Sequence, residues 1–313
     1  MKPLLIGTRA SALALWQARH VAGLLSAQPG APPVELVHIR TMGDVQTEVP
    51  LWQSDGRAFF TREIDRALLE GTVDIAVHSL KDLPTRLDAG LALGATLRRA
   101  EVRDALLSRD GMPLAQLPRG ARVGTSSLRR RAFLARARPD LAHAELRGNV
   151  PTRLERLRQG EYDAIVLAGA GLERLELSAA VSEYLPIEHF PPAVGQGAIG
   201  VCARESDAAT LRRLLPLEDP ATRLAVSAER ALLRRLEGGC QVPLGALGVV
   251  HGQTLRLSAT VCALDGRVSL SAHGTTAATQ AEAIALGEQL AQELLSRGAA
   301  ALISRERARV EAP

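Results

Sequence analysis

The sequence is poor in several residue types, and each shortage argues against a class of protein. Aromatic residues make up only 3% of the 313-residue chain, too few for a nucleic-acid surface built from stacked rings. The cysteines, Cys202, Cys240 and Cys262, lie far apart and form no Cys-x-x-Cys pair. They favour a reducing cytoplasm over a disulfide framework, and we expect no metal site. The chain also lacks an apolar run of about 18 residues and a signal-peptide pattern, so we expect no membrane partner and no export.

Lysine is almost absent as well. Lys2 and Lys81 are the only lysines among 38 basic residues, so the remaining 36 are arginines. A codon bias towards arginine explains most of this composition and makes the retained Lys81 conspicuous. Arginine binds carboxylates and phosphates through two parallel hydrogen bonds. The basic residues are scattered along the chain, which argues against an arm that binds nucleic acid.

Strand-like and helix-like patterns alternate along the first part of the chain. The first unit has predicted strands at 3–7, 34–39, 73–78 and 91–97, and predicted helices at 12–26 and 61–69. The second unit has predicted strands at 122–124, 144–146 and 164–168, and predicted helices at 128–137 and 150–157. This alternation is typical of βαβ units in a mostly parallel sheet.

The last part of the chain has a different pattern. A helix is predicted at 221–236, strands at 255–261 and 268–271, and a final helix through Leu286, Leu290 and Leu294. A further strand at 199–203 is expected to return to the first unit. Since 313 residues are many for one core, we predict three domains. These are an α/β domain of 1–97 plus about 198–217, an α/β domain of 98–197, and a small α+β domain of 218–313.

Arginine and serine residues cluster where predicted strands end and helices begin. The clusters are Thr8-Arg9-Ala10-Ser11, residues 125–130 (TSSLRR) and residues 146–153 (LRGNVPTR). In α/β sheets, ligands bind outside the carboxyl ends of the strands. Arg129 and Arg130 stand at the positive end of a helix, a mismatch of about 0.3–1 kcal/mol. A charge-assisted hydrogen bond to a bound anion, worth about 1.5–3 kcal/mol, would offset this cost, so the clusters predict a ligand with several carboxylates or phosphates.

Lys81 and Asp82 stand side by side at the end of the strand predicted at 73–78. Such a pair is often an ordinary surface ion pair. At a ligand crevice, Asp82 could instead stabilise a developing cation, and Lys81 could bind an anion. Together with the arginine clusters, the pair suggests chemistry through a cationic intermediate on a polyanionic substrate.

Cys240 follows two glycines at the end of the helix predicted at 221–236. Gly-Gly ends a helix and allows the backbone to approach a bulky group, and Pro243 then fixes the direction of the chain. A free cysteine is most often a small buried core residue. Here the thiol is also well placed to carry a covalent group.

Five runs of the sequence together resemble the porphobilinogen deaminase family, also called the hydroxymethylbilane synthases. They are residues 77–84 (VHSLKDLP), 124–130 (GTSSLRR), 146–149 (LRGN), 192–197 (PAVGQG) and 229–245 around Cys240. The resemblance extends over nearly the whole chain. It implies two similar α/β domains that resemble the lobes of periplasmic binding proteins, followed by a small C-terminal α+β domain.

The resemblance also implies an activity. The family joins four porphobilinogen molecules head to tail into a linear tetrapyrrole and releases ammonia at each step. A dipyrromethane cofactor serves as primer and is attached by a thioether to the cysteine that matches Cys240. Asp82 matches the catalytic acid. The residues that match cofactor-binding positions are Lys81, Ser126, Ser127, Arg129, Arg130 and Arg147, and those that match substrate-binding positions are Arg9, Ser11, Arg153 and Arg174.

One stretch departs from the family pattern. Asp55 and Ala58 stand where the family has glycines, in a segment expected to be a lid, and Arg57 keeps the charge of the usual lysine.

The residues also leave two other functions open. The arginines would also suit a two-domain anion-binding protein, and Cys240 could be a hydrolase nucleophile with His78 as its base. Scattered charge without an evident apolar patch favours a monomer.

Overall fold

A computed structural model describes residues 2–45, 61–236 and 242–311 of the chain. The predicted lid residues Asp55, Arg57 and Ala58 lie outside these ranges, and so does Cys240. No helix within these ranges is both long and apolar enough to cross a membrane.

The first lobe contains elements from two separated parts of the chain. Its N-terminal part comprises β1 (Leu4–Thr8), α1 (Ala12–Ser26), β2 (Val34–His38), α2 (Met42–Val45), α3 (Arg62–Leu69), β3 (Ile75–Ser79) and β4 (Leu91–Thr96). The later part comprises β10 (Ile199–Arg204) and α7 (Ala208–Leu214). The strand order is β2-β1-β3-β10-β4, and only β10 runs antiparallel to its neighbours. The return of β10 to the first sheet agrees with the strand expected there.

The second lobe is continuous in sequence. It comprises β5 (Asp104–Ser108), β6 (Arg122–Gly124), α4 (Leu128–Ala137), β7 (Ala142–Ala144), α5 (Val150–Arg158), β8 (Ala164–Ala168), α6 (Gly169–Arg174) and β9 (Glu183–Tyr184). Its strand order is β7-β6-β8-β5-β9, with β5 antiparallel to both neighbours. The two sheets therefore have the same arrangement. Across each sheet, three neighbouring strands are parallel and the fourth strand is antiparallel to them. The predicted mostly parallel sheets are confirmed in both.

The C-terminal part is an antiparallel sheet covered by helices. It comprises α8 (Pro220–Arg235), β11 (Leu244–His251), β12 (Thr254–Cys262), β13 (Ser269–Ala277), α9 (Gln280–Ser296) and α10 (Ala299–Glu311). Leu286, Leu290 and Leu294 of α9 are buried against this sheet, as their spacing predicted. Each buried leucine contributes about 1.5–3 kcal/mol through the hydrophobic effect. The predicted fold class, two α/β lobes and a small α+β domain, is confirmed.

Two crossover segments join the lobes, one at 97–103 and one at 185–198. They contact each other directly, because the N–H of Ala100 donates to the carbonyl of Gly197 over 3.1 Å. Gly197 has a φ of +86°, and a Cβ at this residue would lie 2.7 Å from the carbonyl oxygen of Ala100. The crossovers thus approach as closely as glycine permits, and they are the only described backbone connections between the two lobes.

Candidate functional site

The strands of each lobe end beside helices that begin with capping side chains. Ser11 Oγ accepts the N–H of Ala14 (3.4 Å) at the start of α1. In the second lobe, Asn149 Oδ1 accepts the N–H of Thr152 (3.0 Å) at the start of α5. Capping leaves other N–H groups of the first turn pointing outwards, so each helix start favours a negative charge.

The Lys81–Asp82 pair lies on a short 3₁₀ turn that follows β3 directly. The turn is held from behind, because the N–H of Leu80 donates to the carbonyl of Ala198 over 3.0 Å. Gly195, with a φ of +72°, packs against the same turn, and a Cβ there would lie 3.3 Å from the backbone nitrogen of Lys81. The run at 192–197 therefore supports the Lys81–Asp82 turn, and both side chains of the pair remain partly exposed.

Arg129 and Arg130 lie on the first turn of α4, where the sequence predicted them, but their anionic partner is internal. Asp104, the first residue of β5, has an Oδ2 atom 2.7 Å from Nη1 of Arg129. Its Oδ1 atom accepts hydrogen bonds from Nε (3.0 Å) and Nη2 (2.8 Å) of Arg130. A buried carboxylate of the protein therefore offsets part of the positive charge that the sequence analysis assigned to a bound anion, and a ligand at the two arginines stays a prediction.

This ion-pair cluster is buried in the second lobe. Arg129, Arg130 and Asp104 are 5%, 7% and 0% exposed. Burial alone would raise the pKa of Asp104, but the two arginines hold it far below its usual range. Nε of Arg129 is buried without a hydrogen-bond partner among the described residues. The cluster therefore keeps one net positive charge and an unused donor for a ligand.

The two serines of the second lobe have different roles. Ser126 Oγ donates to the carbonyl of Leu146 (2.7 Å) and accepts the N–H of the same residue (3.1 Å). It therefore ties the loop after β6 to the loop after β7, and its hydroxyl proton is already used. Ser127 Oγ accepts the N–H of Arg130 (3.4 Å) as the N-cap of α4, so its hydroxyl proton remains available to an anion.

Arg153 lies on the first half of α5 and points back towards the strand end. Its Nε donates to the carbonyl of Gly148 over 2.7 Å. Burial and the charges of Arg130 and Arg147 lower its pKa to about 10, while Asp82 acts in the opposite direction. Since such charge effects weaken quickly with distance, Arg153 of the second lobe lies close enough to Asp82 of the first lobe for the two charges to interact.

Lys81 belongs to the same group of charges. Its pKa is lowered to about 8, first by burial and then by Arg130, while Asp82 and Asp104 act in the opposite direction. Across the space between the lobes, the charge of Lys81 thus interacts with that of Arg130, and the charge of Asp82 interacts with that of Arg153. Positive charge exceeds negative charge there, which favours a polyanionic ligand.

Arg9 lies at the end of β1, next to the end of β3. Its charge, together with burial, lowers the pKa of His78 to about 4. His78 is 6% exposed, and its Nε2 atom lies 3.9 Å from Oδ1 of Asp65, a carboxyl whose pKa burial raises to about 6. The base required by the hydrolase alternative is therefore a neutral, buried histidine next to an acid of its own lobe.

Arg174 lies apart from this group, at the end of α6. Its Nη2 donates to the carbonyl of Gly197 (2.6 Å), and its guanidinium lies 5.7 Å from the ring centre of Trp16 on α1. It lines a groove of about 790 Å³ that includes residues of both lobes and of the first crossover. Burial lowers the pKa of Arg174 to about 10, and no described carboxylate forms a salt bridge with it. Arg174 therefore contacts the segments that join the lobes.

Two buried carboxylates were not predicted to be structural centres. Asp104 is one, and Glu229 on α8 is the other. Glu229 is 0% exposed and accepts hydrogen bonds from the side chain of Arg99 and from the backbone N–H groups of Gly195 and Gly248. The signal was present, since Glu229 occupies an apolar face of a predicted helix and Asp104 begins an apolar run. A charge at a core position requires buried partners.

Fold and site together define an α/β protein with an arginine-rich crevice and a partly exposed carboxylate beside it. The chain matches two family models. Residues 4–212 match "Porphobilinogen deaminase, dipyromethane cofactor binding domain", and residues 223–296 match "Porphobilinogen deaminase, C-terminal domain". The chain belongs to the porphobilinogen deaminase family, which confirms the resemblance seen in the sequence.

Curated relatives agree with the family models over almost the full length. A protein named porphobilinogen deaminase from Syntrophotalea carbinolica is 50% identical over 296 residues, which are 95% of this chain and 93% of that protein. A protein of the same name from Roseiflexus sp. is 50% identical over 302 residues, or 96% of this chain and 98% of its own length.

Similar solved structures are more distant. The methionine-binding protein MetQ has a TM-score of 0.43 at 13% identity and covers 69% of this chain and 89% of its own. The periplasmic aliphatic sulphonate binding protein SsuA from Escherichia coli has a TM-score of 0.39 at 16% identity and covers 76% of this chain and 71% of its own. At these scores the similarity carries no argument about function.

Proposed function

We propose that this chain catalyses the reaction of its family. It is a transferase of tetrapyrrole (porphyrin and haem) biosynthesis, which joins four porphobilinogen molecules head to tail into hydroxymethylbilane and releases one ammonia at each step. The single observation that carries this proposal is the charge pattern between the lobes. Arg129 and Arg130 of the second lobe act on Lys81 of the first, and Asp82 of the first lobe acts on Arg153 of the second. The substrate brings two carboxylates per pyrrole.

The described residues fit a dipyrromethane cofactor with its carboxylates. Nε of Arg129 is a buried donor without a hydrogen-bond partner among the described residues. Burial and neighbouring arginines depress the pKa values of Lys81 and Arg153, so a bound carboxylate would be favourable beside them. The proposed cofactor ligands are Lys81, Ser126, Ser127, Arg129, Arg130 and Arg147, with Cys240 as the attachment point. When bound, the cofactor supplies the pyrrole carbon to which the first substrate unit is joined.

Asp82 is proposed as the catalytic residue. Porphobilinogen loses ammonia when the bond between its methylene carbon and its protonated nitrogen breaks, and the positive charge left behind spreads into the pyrrole ring. A carboxylate aimed at the ring N–H stabilises this cation only as it develops, and it therefore lowers the barrier to the reaction. Asp82 lies on a turn fixed from behind by Gly195 and Ala198, which suits a group that must be held in position.

Arg9, Ser11, Arg153 and Arg174 are proposed to bind the substrate. Arg153 has the strongest structural support, because its pKa responds to Asp82 and to two other site arginines. Arg174 lies at the junction of the lobes, where a substrate carboxylate would be held against the crossovers. Each charge-assisted hydrogen bond of this kind contributes about 1.5–3 kcal/mol.

The domain division, location and oligomeric state are part of the proposal. We keep the boundaries 1–97 with about 198–217, 98–197 and 218–313, which the sheet membership of β10 supports. A cytoplasmic location is supported by Cys202 and Cys262, which are free and buried. Large exposed apolar side chains such as Leu24, Leu69 and Leu215 lie on different elements, which supports a monomer. Sedimentation of the purified protein tests the last point.

The function is tested by following porphobilinogen consumption and ammonia release. The wild type is expected to consume porphobilinogen, and Cys240→Ser is expected to lose activity because it has no attachment point. Cys262→Ala is the matched control, since burial raises the pKa of that thiol to about 11 and makes it unreactive. A wild type that binds porphobilinogen without consuming it would instead support the anion-binding alternative.

A further inference from the structure

Asp104 holds a central position among the residues that the proposed function uses. It receives two hydrogen bonds from Arg130 and a close contact from Arg129. A fourth donor is Nε2 of Gln196, 3.0 Å from the same Oδ1 atom. Asp104 is 0% exposed, whereas Arg129 and Arg130 keep 5% and 7% of their surface, so a ligand could reach the arginines but not Asp104.

The two arginines are each held at a further point. Nη1 of Arg130 donates to the carbonyl of Val166 (2.9 Å) on β8, and Nη1 of Arg129 donates to the carbonyl of Pro191 (2.8 Å) in the second crossover. Because the guanidinium is planar and rigid, two or three fixed contacts set its orientation. Among the residues that the structure describes, Asp104 is the group that contacts both guanidiniums, so it fixes them relative to each other.

The same carboxylate lies where the two crossovers meet. Gln196 of the second crossover donates to the carbonyl of Val102 (2.7 Å) in the first crossover as well as to Asp104. The carbonyl of Gln196 in turn accepts Nε of Arg99 (2.8 Å). The orientation of the arginine pair is therefore connected by direct hydrogen bonds to the segments that join the lobes.

We propose that Asp104 is a positioning residue of the deaminase, which aims Arg129 and Arg130 at the carboxylates of the pyrrole chain. This inference rests on the proposed function and deepens it. Asp104 does not contact the pyrrole chain itself. It keeps two like charges side by side at a fixed angle, and it leaves one net positive charge for the ligand.

Two simpler roles predict different results. If Asp104 only reduced the local charge, Asp104→Asn would add positive charge at the site, and porphobilinogen would bind more tightly. If Asp104 only stabilised the lobe, the variant would unfold at a lower temperature with an unchanged KM. A positioning role predicts weaker porphobilinogen binding, which is the opposite of the first role. Without Asp104, the two unpaired arginines repel each other and turn away from the substrate carboxylates.

The chain provides a matched control at the other end of the same helix. Arg138 follows the last residue of α4 and donates to Asp140 through Nε and Nη2, both over 2.8 Å. Asp140→Asn therefore breaks a two-point Arg–Asp pair of the same lobe, away from the proposed site.

The experiment compares wild type, Asp104→Asn, Asp104→Glu and Asp140→Asn. We would measure kcat and KM for porphobilinogen, the melting temperature, and porphobilinogen binding by calorimetry in a Cys240→Ala background, which needs no turnover. We expect Asp104→Asn to raise KM and weaken binding by about ten- to a hundredfold, Asp104→Glu to recover part of this loss, and Asp140→Asn to change KM less than about twofold.

A KM for Asp104→Asn that is unchanged or lower, in protein that folds, would overturn the inference while leaving the proposed function intact. Failure of the wild type to consume porphobilinogen would instead remove the proposed function itself. If Asp104→Asn does not fold, Gln196→Leu replaces it, since this change removes the hydrogen bond to Oδ1 and keeps the carboxylate. Positioning predicts a smaller rise in KM for that variant, and no rise would contradict it.

Discussion

The two α/β lobes have the same strand order but carry different chemistry at their strand ends. In the first lobe, Lys81 and Asp82 are partly exposed on a short turn, and no salt bridge to Asp82 occurs among the described residues. In the second lobe, Arg129 and Arg130 are buried and paired with Asp104. The same fold thus carries a partly exposed carboxylate, Asp82, in the first lobe and two fixed cations, Arg129 and Arg130, in the second.

The difference follows from where each lobe places its buried carboxylate. Asp104 begins β5 of the second lobe and neutralises one of two arginines. The first lobe buries the His78–Asp65 pair instead, in which the pKa of the histidine is lowered and that of the carboxyl is raised. Under the proposed function, the first lobe would supply the reacting carboxylate and the second lobe would hold anions.

The largest expected effect is on the first lobe. Asp82→Glu keeps the charge but moves it by about 1 Å, and a displacement of this size costs about a hundredfold in rate in a positioned site. We expect kcat for porphobilinogen to fall by about this factor with little change in KM. Asp88→Glu, an exposed change in the same lobe, is the control. If KM rose and kcat did not change, Asp82 would belong with the residues that hold anions. The contrast between the lobes would then be wrong.

Replacing a cation of the second lobe is expected to have the opposite kinetic signature. Arg153→Gln removes a guanidinium that donates to the carbonyl of Gly148 and whose pKa is influenced by Asp82. We therefore expect KM to rise about tenfold or more. Arg158→Gln on the exposed side of the same helix, where the arginine lies 3.9 Å from Glu155, should leave KM nearly unchanged. Equal KM values for both variants would show that Arg153 does not bind substrate.

A smaller effect concerns the pH dependence of cofactor assembly. Because burial and Arg130 lower the pKa of Lys81 to about 8, the ammonium of the cofactor-free protein loses its proton as pH rises through about 8. Below that pH the charge is present and supports binding of carboxylates. We expect loading of cofactor-free protein with porphobilinogen, followed by mass spectrometry, to slow by about tenfold above pH 8.

Lys81→Arg is the control for this effect, because a guanidinium stays charged throughout the range. The ratio of the two loading rates removes any pH dependence of porphobilinogen itself. A ratio that stays constant from pH 7 to above pH 9 would contradict a role for the Lys81 charge in loading.

Local patterns predicted much of the fold. Helices α1 and α4 and strands β6 and β8 have the predicted bounds, because capping serines or sharp changes from polar to apolar residues mark their ends. Strands β5 and β11 were missed. Both are apolar runs that adjoin glycine or arginine, and their pairing depends on partners distant in sequence, which a local pattern does not contain.

The sequence predicted where several candidate site residues lie in the fold, and it predicted their internal partners less well. Strand-end position was sufficient to group Lys81, Asp82 and Arg153 across two lobes. It could not predict that Asp104 forms ion pairs with Arg129 and Arg130, since that pairing depends on β5 running antiparallel beside β8. The partner of Ser126 was not predicted for a similar reason. Its hydroxyl bridges two loops that are adjacent only in the folded sheet.

The most direct test of the account is the intact mass of the purified protein under denaturing conditions. We expect a mass above that of the polypeptide by one dipyrromethane in the wild type and in Cys262→Ala, and the bare polypeptide mass in Cys240→Ser. An unmodified wild type that stays unmodified after incubation with porphobilinogen would contradict a covalent primer on Cys240 and, with it, the deaminase function.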